Sequence, residues 1–125
     1  MQLYRKEQTK NSPEVILDPG GIIRLKGRSI LENAAEFYEP VLEWIDEYVK
    51  TPALLTCIDI NLEYFNSATA KFIISLIQRT SAVAFRNGRL KVNWYYEDGD
   101  EDILARGEYI ESVLEVDFSF IKVRM

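Results

Sequence analysis

Residues 53 to 96 hold two alternating stretches separated by a helical repeat, and that order leaves few folds open. In the first stretch Leu54, Thr56, Ile58, Ile60, Leu62 and Tyr64 fall on one side, with Leu55, Cys57, Asp59, Asn61 and Glu63 on the other. A period of two is the signature of a strand. Strands covered on both faces read as apolar throughout, so the polar second half of the odd-numbered side predicts an open face. Arg89 to Tyr96 repeats the pattern, with Leu90, Val92, Trp94 and Tyr96 opposing Lys91, Asn93 and Tyr95. Between the two, Thr69, Phe72, Ile73, Leu76, Ile77, Val83 and Ala84 recur at helical spacing, and Asn87-Gly88 supplies a stop. Strand, helix, strand is the crossover unit of neighbouring parallel strands.

The flanking sequence extends this unit. Residues 1–12 read as a loose polar arm, and the domain spans residues 13–125. Glu14 to Asp18 and Ile22 to Gly27 are short strands joined by Pro19-Gly20-Gly21, a turn signal, so the domain opens on a β-hairpin. From Glu32 to Lys50 the period is helical, with Pro40 predicting a kink or restart because it lacks an N–H. An acidic turn over Glu97 to Asp100, a helix over Glu101 to Leu114 and a strand over Phe118 to Val123 complete the chain. The fold class is α/β: one domain with a mixed β-sheet and helices packed mainly on one face.

Composition removes several functions. The chain has 20 acidic and 15 basic residues and a net charge of -5, which disfavours nucleic acid and anionic membrane as partners. It has no histidine, which removes Ser-His and Cys-His pairs and the usual zinc sets. Its single cysteine, Cys57, reads as a small buried apolar residue with no basic neighbour, and it excludes an internal disulfide. A reducing, cytoplasmic setting is expected, since residues 1–13 lack the apolar core of a signal peptide. The carboxylates Asp59 and Glu63 share a strand face, but no nucleophile or phosphate loop accompanies them. The run Glu97, Asp98, Asp100, Glu101, Asp102 lacks the spacing of a calcium loop and reads as negative charge at a helix start. No catalytic residue, metal, cofactor or small-molecule substrate is expected.

What remains is the junction Tyr64-Phe65-Asn66-Ser67-Ala68-Thr69-Ala70-Lys71, where the long strand passes into the helix. Asn and Ser are capping residue types, because their side-chain oxygens accept from N–H groups with no intrahelical partner. A hydroxyl at this place also lies where an added phosphate meets free N–H donors and the positive end of the helix dipole. Two readings stay open on the residues alone: a cap, or a switch.

Four blocks then carry a resemblance: Ser12-Pro13-Glu14-Val15, the stretch Glu32 to Trp44 (ENAAEFYEPVLEW), Tyr64-Phe65-Asn66-Ser67, and Val92 to Asp98 (VNWYYED). They closely resemble the SiaC family of bacterial regulatory phosphoproteins, from about Ser12 to the final strand. Ile30-Leu31 departs from the Tyr-Pro common there, which affects the entry to the first helix. The resemblance implies a STAS-like fold and a non-enzymatic adaptor. It implies phosphorylation by a partner Ser/Thr protein kinase, reversal by a PP2C-type phosphatase, and activation of a diguanylate cyclase by the unphosphorylated form. The hydroxyl directly after Tyr-Phe-Asn is Ser67. Ala68 stands where a second hydroxyl is common, leaving Thr69 as runner-up. Tyr64, Phe65, Asn66, Ser67, Ala68, Thr69 and Lys71 become the expected partner surface. The competing reading is a STAS-like module that binds a small ligand or acts as an anti-sigma antagonist, with Ser67 only a helix cap.

Overall fold

A computed structural model describes residues 1–124. The chain runs β1 (Tyr4–Lys6), β2 (Glu14–Asp18), β3 (Ile22–Ser29), α1 (Ala34–Tyr48), β4 (Leu55–Phe65), α2 (Ser67–Thr80), a 3-10 turn over Ser81–Arg86, β5 (Arg89–Glu97), α3 (Glu101–Leu114) and β6 (Phe118–Val123). The six strands lie side by side in chain order. The expected hairpin of β2 and β3 is antiparallel, as is the β1–β2 pair. From β3 to β6 every neighbour is parallel. Right-handed crossovers that always step the same way across a sheet lay every helix on the same face. The strands agree: in β4 Thr56, Ile58, Ile60 and Leu62 are buried, while Cys57, Asp59, Asn61 and Glu63 are partly or fully exposed.

Four details differ from the sequence reading. The N-terminal segment is not wholly loose, since Tyr4 to Lys6 pair with Leu17 to Val15 as an edge strand. Tyr4 packs on the core, Lys6 sits 5.2 Å above the Phe37 ring, and the Trp44 indole donates to the Gln2 carbonyl at 2.9 Å. Pro40 causes no restart: α1 is one helix with an exposed proline, so the carbonyl it leaves unbonded can be hydrated. The α2 repeat stops at Thr80, where the Thr80 and Ser81 hydroxyls bond back to the carbonyls of Leu76 and Ile77 at 2.7 and 3.0 Å and compete with the helix ladder. Cys57 is half-buried on the open face, with Ile22 and the basic Lys91 opposite it, and not part of the core.

The core between sheet and helices is closed at the β5 side by Trp94, 1% exposed. Its indole N–H donates to the Ile103 carbonyl at 3.0 Å, Phe65 meets it edge-on and Phe118 stacks on it. Gly107, in the middle of α3, lets the helix touch this ring. A Cβ there would lie 2.5 Å from the indole. Replacing a helical glycine by alanine ordinarily stabilises by about 0.5–1 kcal/mol. Gly107→Ala is expected to do the opposite, costing roughly 1–3 kcal/mol by overpacking. Urea unfolding followed by Trp fluorescence measures the sign.

Candidate functional site

Where β4 ends, its alternation breaks. Gly27 of β3 pairs with Leu62, but the next residue, Arg28, pairs with Tyr64, so Glu63 is skipped and β4 carries a bulge. A bulge inserts one residue and reverses the phase of side chains beyond it. Tyr64, expected on the buried side, is therefore exposed, and Phe65 turns into the core at 1% exposure. The chain then enters α2 through Asn66.

Asn66, with extended backbone angles (φ -87, ψ 173), is the N-cap of α2: its side-chain oxygen accepts from the Thr69 N–H at 3.0 Å. Its amide group donates to the Leu31 carbonyl at 3.3 Å, and its backbone N–H to the Ser29 carbonyl at 3.1 Å. The cap is thus Asn66 and not Ser67, which is the first helical residue. Ser67 is exposed, and among the described residues its hydroxyl makes no hydrogen bond. The N–H groups of Ser67 and Ala68 precede the first helical acceptor and are free to donate outward.

Thr69 is the opposite case. It is fully buried, its hydroxyl 2.7 Å from the Ser29 hydroxyl and 3.3 Å from the Ser29 carbonyl. The Ser29 hydroxyl in turn lies 2.8 Å from the Tyr38 phenol. Burial pushes the Tyr38 phenol up to about 12, against the opposing effect of the bonds to Ser29 and Thr69. Tyr38 stacks on Phe72 at 5.4 Å, so the network ties β3, α1 and α2 together under the junction. Of the seven expected surface residues, Tyr64, Ser67, Ala68 and Lys71 are exposed and Asn66 is half-buried; Phe65 and Thr69 form the underside.

One functional candidate was not read from sequence, because α3 reaches the junction only through the fold. Arg106 of α3 donates to the Phe65 carbonyl, and its guanidinium lies 4.6 Å from the Phe65 ring centre and 5.8 Å from that of Tyr64. Arg106 and Ser67 both line a groove of about 320 Å³ between α2 and α3, with Ala70, Ile74, Ala105 and Ile110 as apolar walls. The groove exists because α2 packs closely along α1 and only sparsely on α3. Another cavity, about 230 Å³, opens where β4 and β5 run on beyond their last pair, Ile60 with Trp94; Lys26, Glu63 and Glu97 line it, and Ser67 does not.

The carboxylates do not assemble. Asp59 accepts from the Asn93 amide at 2.8 Å, and Glu63 stands four strand residues away, about 13 Å along an extended chain. In the acidic run, Asp100 caps α3 by accepting from the Ile103 N–H at 3.0 Å, Asp98 faces Lys122 and Asp102 faces Arg106. Among the described residues no three acidic or cysteine side chains are grouped to hold a metal ion, and no helix is long and apolar enough to cross a membrane.

Three substitutions separate these roles. Thr69→Val is expected to cost about 1–3 kcal/mol, because it leaves buried polar partners unpaired. Asn66→Ala costs about 1 kcal/mol as a lost cap, and Ser67→Ala stays within about 0.5 kcal/mol. Chemical denaturation ranks them. The phenol predicts a pH dependence as well. A folded pKa raised from 10.0 to about 12 means stability fully present below pH 10 and lost as pH rises through 12. The loss is on the order of 2–3 kcal/mol, and Tyr38→Phe removes this part of the alkaline slope.

The family model of the SiaC family regulatory phosphoprotein matches residues 6–123. None of the curated proteins matches the chain. Among solved structures, apo-SiaC from Pseudomonas aeruginosa superposes with a TM-score of 0.86 at 17% identity, covering 97% of this chain and 99% of that one. The structure of diguanylate cyclase SiaD in complex with its activator SiaC, from the same organism, gives 0.87 at 17% identity, covering 96% and 99%. At that identity the superpositions establish a shared fold, and the family match, which spans nearly the whole sequence, establishes descent. The chain belongs to the SiaC family of regulatory phosphoproteins.

Proposed function

We propose that this chain is a non-enzymatic adaptor switched by phosphorylation of Ser67. In this reading a Ser/Thr protein kinase adds the phosphate, a PP2C-type phosphatase removes it, and the unphosphorylated protein binds and activates a diguanylate cyclase. The observation that carries it is the contrast between two hydroxyls of one helical turn. Ser67 is exposed and, among the described residues, unbonded, whereas Thr69 is buried and held by Ser29. A kinase needs the first kind. Support for the effector comes from the cyclase–activator complex of a structural neighbour. Support for an adaptor over an enzyme comes from the strand order. Parallel α/β sheets place their ligand crevice where the order of strands reverses, and β3 to β6 never reverse.

The unphosphorylated junction, with Tyr64, Ser67, Ala68 and Lys71 outermost, is the docking face for the effector. A phosphate brings about -1.5 to -2 charges at pH 7. An effector surface shaped for a neutral hydroxyl then has to desolvate that charge or meet it with repulsion. A loss of only ~1.4 kcal/mol lowers affinity tenfold.

Incubation with the partner kinase and ATP, followed by peptide mass spectrometry, is expected to find phosphate on Ser67. Ser67→Asp weakens cyclase binding by roughly tenfold or more, and Ser67→Ala preserves it. Phosphate on Thr69 alone would refute the site, and unchanged binding by both the phosphorylated protein and Ser67→Asp would refute the switch.

A further inference from the structure

We infer that Arg106 is the receiving group for a phosphate on Ser67, joining α3 to the start of α2 across the groove between them. The inference rests on the phosphorylation reading and adds the residue through which the modification would act on the protein itself. Arg106 is placed for this by several independent contacts. Its Nη1 donates to the Phe65 carbonyl, two residues before Ser67. Two residues span at most about 7 Å of extended chain, within reach of a phosphoserine and an arginine fork turned toward each other. The guanidinium is held over the Phe65 and Tyr64 rings, so its position is already ordered. Ser67 and Arg106 line the same groove.

The guanidinium also has donors to spare. Nη1 serves the Phe65 carbonyl and Nε stands 3.7 Å from Asp102, a loose contact with a largely exposed carboxylate. Among the described residues Nη2 has no partner. Arginine presents five N–H donors in a planar fork suited to phosphate. A phosphate can therefore be bound without surrendering the carbonyl that fixes the arginine. Charged residues on the elements that meet at this junction include Lys71 one turn along α2, Arg106 and Asp102 on α3, Glu63 at the bulge of β4, and Arg28 of β3, which pairs with Tyr64. Lys71 is exposed and in no ion pair among the described residues, whereas Arg106 is held by the Phe65 carbonyl and the two rings.

The test installs phosphoserine at position 67 during synthesis, so that it does not depend on any kinase, and follows the phosphate by phosphorus NMR through pH 4 to 8. The second ionisation of phosphoserine lies near 6. In the otherwise unaltered protein it is expected roughly half a unit or more lower, as an adjacent arginine stabilises the dianion. Arg106→Gln returns it toward the free value, and Lys71→Gln leaves most of the shift in place. An unshifted phosphate in the unaltered protein overturns the inference. So does a shift that survives Arg106→Gln, or one that Lys71→Gln abolishes. Should Arg106→Gln not fold, Arg106→Lys takes its place, since it keeps a charge but loses the planar fork: a shift undiminished in that variant overturns the inference. Absence of kinase modification at Ser67 would refute the switch and leave this measurement unaffected.

Discussion

The contact between the hydroxyls of Ser29 and Thr69 sets the geometry of everything around the junction. Burying a hydroxyl is costly unless it is bonded. At 2.7 Å from each other, and with the Ser29 carbonyl and the Tyr38 phenol also engaged, these groups satisfy one another only in one arrangement of β3, α1 and α2. That arrangement fixes the rotation of α2 about its axis. Successive helical residues turn by about 100°, so a residue two places earlier points about 200° away. With Thr69 held inward, Ser67 has to point out. The exposure of one hydroxyl is thus a consequence of the burial of the other.

The bulge at Glu63 does the same for the strand. An unbroken alternation would aim Tyr64 into the core and Phe65 at solvent. By skipping Glu63 the ladder brings Phe65 against the edge of Trp94 and leaves Tyr64 outside. Gly27 sits on the partner strand at this place with φ +123, a conformation that side chains resist, and a Cβ there would also push the Gln8 side chain aside. Arg106 then spans both products of the bulge, its charge over the two rings and its N–H on the carbonyl of Phe65. Three elements distant in sequence are locked by one inserted residue.

These features also mark how far the sequence could be read. The crossover unit, the opening hairpin and the acidic start of α3 were legible because each is encoded by local periodicity or capping chemistry. The phase of Tyr64 was not, because a bulge is decided between strands: it needs the Gly27 conformation and the Arg28 pairing, neither of which shows in residues 53 to 65. The use of Tyr4 to Lys6 as a strand was hidden by its polarity, since an edge strand three residues long buries little more than Tyr4. Thr69 and Ser67 were equivalent as hydroxyls near a helix start. What separates them is Ser29, forty residues earlier in the chain. Arg106 was invisible for the same reason, being brought to Phe65 by the packing of α3 alone.

The helix N-termini show why a charge on Ser67 would act outward and not against the fold. Helix α1 carries Glu36 in its first turn, and α3 carries Glu101 and Asp102 behind the Asp100 cap. Carboxylates there answer the positive end of the helix dipole, each worth about 0.3–1 kcal/mol. Helix α2 has no acidic residue in its first turn, and its cap is the neutral Asn66. A phosphate on its first residue would supply the charge that the other two helices carry by sequence, with Lys71 and Arg106 nearby as counter-charges. On that proposal the modified domain would be at least as stable as the unmodified one, with the buried network under Thr69 untouched. The free-energy change would then fall on whatever docks at the surface, which is the property a reversible switch requires.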